Sequence, residues 1–178
     1  MKISYANRGM DLESEINDTN HYYLDIDKAV VYKKPTPITI SKVNYKENRI
    51  NEGYFRTPST TDYNGLYKGY YIDFEAKETV NKTSFPLQNI HPHQIEHLKK
   101  VVKHGGIGFL IIRFKTINET YYLDANELIK FIKDNTAKSI PIDYFRANGH
   151  IIKDKFQPRV DYLSIVDLYI GVKNEKKI

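Results

Sequence analysis

The stretch TTDYNGLYKGYYIDFEAK (residues 60–77) constrains the fold of this chain more than any other part. Its second half, residues 70–77, alternates apolar and polar side chains, which is typical of a β-strand with two different faces. The apolar face carries Tyr70, Ile72, Phe74 and Ala76. The opposite face carries Tyr71, Asp73, Glu75 and Lys77. The last two side chains therefore point the same way.

A turn just before this strand decides how the strand pairs. Lys68-Gly69 can reverse the chain, and a hairpin centred there places Asp62 opposite Glu75 in an antiparallel pairing. Asn64-Gly65 is an alternative turn, and it would pair Asp62 with Tyr67 instead. In the first arrangement, two carboxylates and the lysine ammonium group meet on one face of the hairpin.

This group of charges has two interpretations. Two carboxylates that lie close together repel each other, and a hard divalent cation such as Mg²⁺ relieves the repulsion. A lysine beside the metal can hold a water and stabilise the charge that develops on a phosphate. The other interpretation is an exposed hairpin face with ordinary solvated charges. The spacing alone leaves both open, and under the first we expect a mainly solvent-facing site.

The residues of the hairpin also carry a family resemblance. Asp62 followed by Glu75-Ala76-Lys77 resembles the PD-(D/E)xK nuclease signature, with Thr61 where that signature usually has proline. The more specific segments are NRGMDLESEIN (7–17), KKPTPI (33–38), STTDYNG (59–65), YIDFEAKET (71–79), NKTSFPLQNIHPHQIEH (81–97) and PRVDYLSI (158–165). In this order they are similar to the RecU family of Holliday-junction resolvases.

The resemblance implies a fold, a reaction and a set of site residues. The fold is α/β, with a restriction-endonuclease-like mixed β-sheet flanked by helices. The reaction is Mg²⁺-dependent hydrolysis of DNA, in which paired symmetric nicks resolve four-way junctions during recombination and repair; Mn²⁺ is a second candidate metal. The implied catalytic residues are Asp62, Glu75 and Lys77, and the implied metal site comprises Thr60, Asp62, Glu75 and Gln94. A homodimer and a link to the RecA recombinase are further implications.

A polar segment at residues 44–53 (NYKENRINEG) has almost no apolar material to anchor it. By itself it indicates an exposed loop or hairpin tip. The resemblance implies that it is a projecting stalk that enters the centre of the junction. Lys46, Arg49 and Arg56 are the candidate phosphate contacts in and beside it.

Two helices carry further candidates. The first, over about residues 10–20, places Glu13 at the edge of an apolar stripe, where the acid is either part of the active site or simply solvated. The second, over residues 92–103, carries Gln94 inside its apolar edge, where a buried amide needs a partner. The resemblance assigns that amide to the metal site, and a hydrogen bond to the backbone is the alternative.

Three histidines suggest a different metal. The spacing of His93 and His97 would place two imidazoles on one zinc ion, with His91 nearby. We favour magnesium because the HExxH pattern is absent and a carboxylate-rich site suits a hard cation. Phosphate contact or helix capping is the expected role of these histidines.

The remaining segments complete the predicted sheet and its cover. Residues 106–114 (GIGFLIIRF) predict a central strand covered on both faces. Further predicted strands lie at 29–32, 38–43 and 121–123, and further helices at 126–133 and 160–172. Residues 135–157 show a weak pattern and are expected to be loops with one short element.

Length and composition favour one compact enzyme domain over residues 1–178. The absence of cysteine rules out a disulfide framework, and no apolar run is long enough for a membrane span, so we expect a cytoplasmic protein. The formal charge of +5 permits a polyanionic partner. Two other functions stay open: a DNA nuclease without junction specificity, and a non-catalytic DNA-binding module on a nuclease fold.

Overall fold

The computed structural model describes residues 11–55 and 60–175. Its strands are β1 (Val30–Lys33), β2 (Ile38–Asn44), β3 (Arg49–Phe55), β4 (Tyr63–Tyr67), β5 (Tyr70–Thr79), β6 (Ser84–Pro86), β7 (Ile107–Phe114), β8 (Glu119–Asp124), β9 (Ser139–Pro141) and β10 (His150–Ile152). Its α-helices are α1 (Leu12–Asp25), α2 (Pro92–Lys103), α3 (Ala125–Asp134), α4 (Ile142–Asn148) and α5 (Leu163–Glu175).

The main sheet is mixed, as predicted. Its six strands run in the order β1-β4-β5-β7-β8-β10, with β5 and β7 parallel and the other neighbours antiparallel. The parallel pair is joined by α2, the kind of crossover that a parallel pairing requires. β5 therefore lies between its hairpin partner β4 and the central strand β7, and both of its long edges are hydrogen-bonded.

Helices cover both faces of this sheet. Every residue of β7 is buried, as its continuous apolar sequence predicts. On one face Ile72, Phe74 and Phe109 pack in a core with residues of α1 and α5. On the other face Leu110 and Ile112 pack with residues of α2, α3 and α4. The prediction of a mixed sheet flanked by helices is confirmed.

A separate two-stranded ribbon, β2 with β3, lies outside the main sheet. Its register runs from Ile38↔Phe55 at the base to Asn44↔Arg49 at the tip, with irregularities between Ile40 and Val43. All residues of β3 are exposed. The polar segment 44–53 forms the tip and most of the second strand of this hairpin. In β2 four residues are exposed, and Thr39, Val43 and Asn44 are half-buried.

The prediction for residues 135–157 was wrong. This segment contains β9, α4 and β10; β9 pairs with β6, and β10 is an edge strand of the main sheet. Strands of three residues are too short to show an alternating pattern. Their positions are decided by the strands with which they pair and not by their own sequence.

The helix predictions agree better with the structure. α2 has the predicted bounds and ends where Gly105 adopts a positive φ of 87°. α1 extends to Asp25, beyond the predicted end near residue 20, and residue 10 lies outside the described residues. Within the described part of the chain, no helix is long and apolar enough to span a membrane.

Candidate active site

The hairpin turns at Lys68-Gly69, as the first arrangement required. Tyr67 pairs with Tyr70 and Tyr63 with Phe74, so Asp62 continues the ladder opposite Glu75. The alternative turn at Asn64-Gly65 is wrong, because both residues lie within β4. Lys68 and Gly69 both have positive φ, the conformation that tight hairpin turns require.

Each carboxylate accepts a hydrogen bond from a backbone amide of the opposite strand end. The amide of Asp62 donates to Oε2 of Glu75 at 3.1 Å, and the amide of Ala76 donates to Oδ2 of Asp62 at 3.1 Å. These two bonds continue the contact between the strands beyond the last ladder pair, Tyr63 with Phe74. They fix both acids by short, local contacts, so their separation is set by the register of β4 and β5.

Lys77 provides the positive charge of this group. Its Nζ forms an ion pair with Oε1 of Glu75 and lies 3.9 Å from Oδ2 of Asp62. The lysine side chain is 27% exposed, whereas that of Glu75 is completely buried. The expectation of a mainly solvent-facing site is therefore wrong for Glu75, because α2 covers this face of β5.

Gln94 reaches the same carboxylate from α2. Its Nε2 donates to Oε1 of Glu75 at 2.7 Å, while its Oε1 accepts from the amide of His91 at 2.8 Å. Gln94 is the third residue of α2, so its side chain forms part of a capping box that fixes the start of the helix. The side-chain amide of Gln94 therefore holds Glu75 through its nitrogen and the first turn of α2 through its oxygen.

The surroundings of Glu75 disfavour its charged form. Burial is the main cause that raises the pKa of Glu75 to about 7, the charge of Asp62 acts in the same direction, and Lys77 opposes both. Asp62 and Glu75 together carry one more charge than Lys77 neutralises. A surplus of negative charge on neighbouring carboxylates favours the binding of a divalent cation.

Thr60 lies at the edge of this group. Its hydroxyl accepts a hydrogen bond from Nζ of Lys34 at 3.1 Å. The neighbouring residue Thr61 is completely buried and donates its hydroxyl hydrogen bond to Asp73. The segment that carries Thr60 and Asp62 is thus anchored through contacts that the sequence analysis did not include.

Asp73 lies beside the candidate site but is not among the residues that the sequence predicted for it. It is completely buried on the same face of β5 as Glu75 and binds Lys34 at 2.7 Å and His97 at 3.0 Å. Its place on the polar face was visible in the alternation. A buried aspartate needs a counter-charge, and the two basic residues around it are far away in sequence.

The other candidate residues lie apart from this cluster or outside the described residues. Glu13 forms an ion pair with Lys33 at the start of α1, and its side chain is half-exposed. Arg49 pairs with Glu47 at the exposed tip of the β2–β3 ribbon, where Lys46 is also exposed. Arg56 lies outside the described residues.

The histidines do not form a joint site. The rings of His91 and His93 stack at 5.3 Å, whereas His97 faces Asp73. Within residues 11–55 and 60–175, no three His, Asp or Glu side chains are grouped so as to hold a metal. The groups that could hold a cation here are the carboxylates of Asp62 and Glu75, and carboxylate oxygens suit a hard ion such as Mg²⁺.

Comparisons with known proteins identify relatives of this chain. A family model described as RecU, Recombination protein U, matches residues 7–168. Two curated proteins named Holliday junction resolvase RecU, from Staphylococcus aureus strains JH9 and MRSA252, are each 54% identical over 182 aligned positions, covering 99% of this chain and 88% of theirs.

A solved structure is also similar. It is Hjc, a Holliday junction resolvase from Archaeoglobus fulgidus, with a TM-score of 0.46 and 11% identity over 79% of this chain and 95% of that chain. The sequence matches span nearly the whole chain and include the hairpin, α2 and the ribbon. This chain belongs to the RecU family.

Proposed function

We propose that this chain is a Mg²⁺-dependent DNA endonuclease that resolves four-way junctions by paired, symmetric nicks. The observation that carries the proposal is the cluster of Asp62, Glu75 and Lys77, two acids fixed by backbone amides with one lysine beside them. Its relatives are named Holliday junction resolvases, which supports the choice of substrate.

Asp62 and Glu75 would hold the metal, with Thr60 beside them and Gln94 orienting Glu75. Bound Mg²⁺ supplies a Lewis acid that lowers the pKa of a coordinated water and stabilises charge on the phosphate. Burial of Glu75 supports this assignment, because a carboxylate that resists ionisation gains most from a neighbouring cation. Mn²⁺ has the same preference for oxygen ligands and is the second candidate.

Lys77 would position the attacking water and neutralise developing negative charge. Its ammonium already lies beside both acids, and its side chain keeps part of its surface in contact with solvent. The flexible side chain of lysine lets its compact ammonium group follow an atom that moves during the reaction. The lysine therefore acts on the reacting atoms while Gln94 and the backbone hold the acids.

The β2–β3 ribbon would select the junction. Its tip carries Lys46 and Arg49 on an exposed hairpin, where both can contact phosphate. A junction presents two equivalent strands, so a two-fold symmetric homodimer would place one site on each strand.

A nicking assay on matched substrates tests the proposal. A four-way junction and a linear duplex of equal length are incubated with the wild-type protein, with Mg²⁺, with Mn²⁺ and with a chelator. We expect symmetric nicks in the junction that require the metal and little cutting of the duplex. Equal cutting of both substrates would instead support a nuclease without junction specificity, and metal-independent or absent cutting would contradict the proposed chemistry.

A further inference from the structure

A second polar cluster lies next to the candidate metal site and is centred on Asp73. Asp73 precedes Glu75 by two residues on β5, on the same face, and is completely buried. Both of its oxygens are bonded. Its partners are Nζ of Lys34 at 2.7 Å, the hydroxyl of Tyr71 at 2.8 Å, Nε2 of His97 at 3.0 Å and the hydroxyl of Thr61.

Lys34 provides the positive charge of the same network. Its Nζ donates to Asp73, to the hydroxyl of Thr61 at 2.7 Å and to that of Thr60 at 3.1 Å. Its backbone amide also donates to the carbonyl of Asp62 at 2.8 Å. Lys34 follows β1 directly, so it ties that strand to the segment 60–62.

The two clusters join the same parts of the chain. Glu75 contacts Asp62 and Gln94, which belong to the segment 60–62 and to α2. Asp73 contacts Thr61 and His97, which belong to the same segment and the same helix. His97 lies one helical turn after Gln94. Two independent sets of contacts therefore fix the positions of Asp62 and Gln94 relative to β5.

A buried ion pair of this kind is more informative about geometry than about stability. Its Coulombic attraction is offset by the cost of removing both charges from water, so it contributes little net stability. It does require one arrangement of its partners, since a shift leaves a buried charge unpaired. Metal sites and catalytic groups lose affinity and rate when their ligands move by a fraction of an ångström.

We propose that the Lys34–Asp73 ion pair is a positioning pair that holds Asp62 and Gln94 against Glu75 and thereby sets the affinity of the site for a divalent cation. The inference rests on the proposed function, because it concerns the metal of that reaction. Lys34 is 14% exposed, and its ammonium is already bonded to four side chains that surround it. It acts through its neighbours rather than by contact with DNA.

The test compares Asp73→Asn and Lys34→Met with wild type. Mg²⁺ binding is measured by calorimetry on the DNA-free protein, and single-turnover cleavage is measured over a range of Mg²⁺ concentrations. We expect both variants to lower Mg²⁺ affinity by roughly 10-fold or more, which is the lower end of the loss seen when groups that support a metal site are removed. Raised Mg²⁺ should recover part of the cleavage rate, and junction binding in chelator should stay close to wild type.

The direction in which Mg²⁺ affinity changes in the two variants separates a positioning role from a purely electrostatic influence. Removing the negative charge of Asp73 and removing the positive charge of Lys34 act in opposite directions on a nearby cation. A purely electrostatic influence predicts weaker Mg²⁺ binding in Asp73→Asn and tighter binding in Lys34→Met. Weaker binding in both variants supports the positioning pair, and opposite signs overturn it.

A matched control lies at the other end of the same hairpin. Lys68 and Asp167 form an exposed ion pair at 2.6 Å, and Lys68→Met and Asp167→Asn should leave Mg²⁺ affinity unchanged. If either cluster variant fails to fold, Thr61→Val removes one hydroxyl of the network at nearly constant volume and should weaken Mg²⁺ binding in the same way.

The remaining outcomes are also decisive. Folded cluster variants that bind Mg²⁺ as wild type does, even with lower melting temperatures, would reduce the pair to a structural role and overturn the inference. Wild-type protein that binds no Mg²⁺ would overturn the inference and the proposed chemistry together. Wild-type protein that binds Mg²⁺ but spares junctions would contradict the proposed function alone, and the affinity comparison would still test the pair.

Discussion

The region around β5 and the β2–β3 ribbon differ in almost every physical respect. Asp73 and Glu75 are completely buried, and each is held by contacts from several parts of the chain. In the ribbon every residue of β3 is exposed, and among the described residues neither core includes a residue of either ribbon strand. The first region has its geometry fixed by packing, whereas the second is free to meet a partner.

The ribbon is unusual for an exposed hairpin because it is not simply polar. It exposes six large apolar side chains, Ile38, Ile40, Tyr45, Ile50, Tyr54 and Phe55. Apolar groups that contribute nothing to a core indicate a surface for contact with another molecule. Under the proposed function, the chemistry belongs to the buried region and the choice of substrate to the ribbon, and five predictions test that division.

The largest effect is expected at Asp62. Asp62→Asn removes one charge from the acid pair but keeps an oxygen for the amide of Ala76, so the fold should survive. We expect single-turnover junction cleavage in Mg²⁺ to fall by roughly 10²- to 10³-fold, the scale of losing one group that stabilises the transition state. Junction binding should be retained. Asp25→Asn, at the exposed end of α1, is the matched control, and near wild-type cleavage by Asp62→Asn would contradict the assigned site.

Lys77 should have the next largest effect. Lys77→Ala should lower cleavage at saturating Mg²⁺ by roughly 10²-fold while changing the free energy of unfolding by only about 0–1 kcal/mol. The small stability change follows because Glu75, with its pKa raised to about 7, can take up a proton when the lysine is gone. Lys77→Arg should not restore cleavage, since a guanidinium is bulkier and does not release a proton.

The outcome that would contradict this role is specific. A stable Lys77→Ala protein that cuts the junction at the wild-type rate would make Lys77 a surface charge. Thermal melts of the same samples exclude unfolding as the cause of any loss.

The acid pair should also affect stability in the metal-free protein. The pKa of Glu75 is raised from its ordinary value of 4.5 to about 7, so between these values the folded protein binds more protons than the unfolded chain. The free energy of unfolding should therefore contain a component that is fully present below pH 4.5 and is lost as the pH rises through 7. Chemical denaturation in chelator measures it. Glu75→Gln should remove this component, and an unchanged pH profile would place Glu75 in a different environment.

The smallest effect is expected on the free energy of unfolding when the ribbon is shortened. Replacing residues 40–53 by an Asn-Gly turn keeps the Thr39–Tyr54 pair and removes no core residue, so the free energy of unfolding should change by about 1 kcal/mol or less. Phe74→Ala, which removes a completely buried ring from β5, should cost about 3–5 kcal/mol. Comparable losses in the two variants would show that the ribbon supports the fold.

Local sequence patterns predicted the parts of the fold that depend on neighbours in the chain. The alternation in β5, the turn at Lys68-Gly69 and the bounds of α2 all follow from spacing and turn chemistry. The pairing of Asp62 with Glu75 follows from that turn. The short strands β9 and β10 did not emerge, because their positions are decided by distant partners.

The same limit applies within the candidate site. Asp73 was visible on the polar face of β5, but Lys34 and His97 come from other elements, and only the packed sheet brings them to it. The burial of Glu75 depends in the same way on how α2 lies over the sheet. The exposed apolar side chains of β3 have no strict alternation, so the sequence indicated a loop or hairpin tip there rather than a strand.

The most direct test of the division between chemistry and substrate choice is the ratio of junction to duplex cleavage in the protein without residues 40–53. Single-turnover nicking of both substrates is measured in saturating Mg²⁺ beside wild type. We expect metal-dependent nicking of duplex DNA to persist at the wild-type level while junction cleavage falls to that level, so the ratio should approach one. A ratio equal to that of wild type would show that the ribbon does not select the junction.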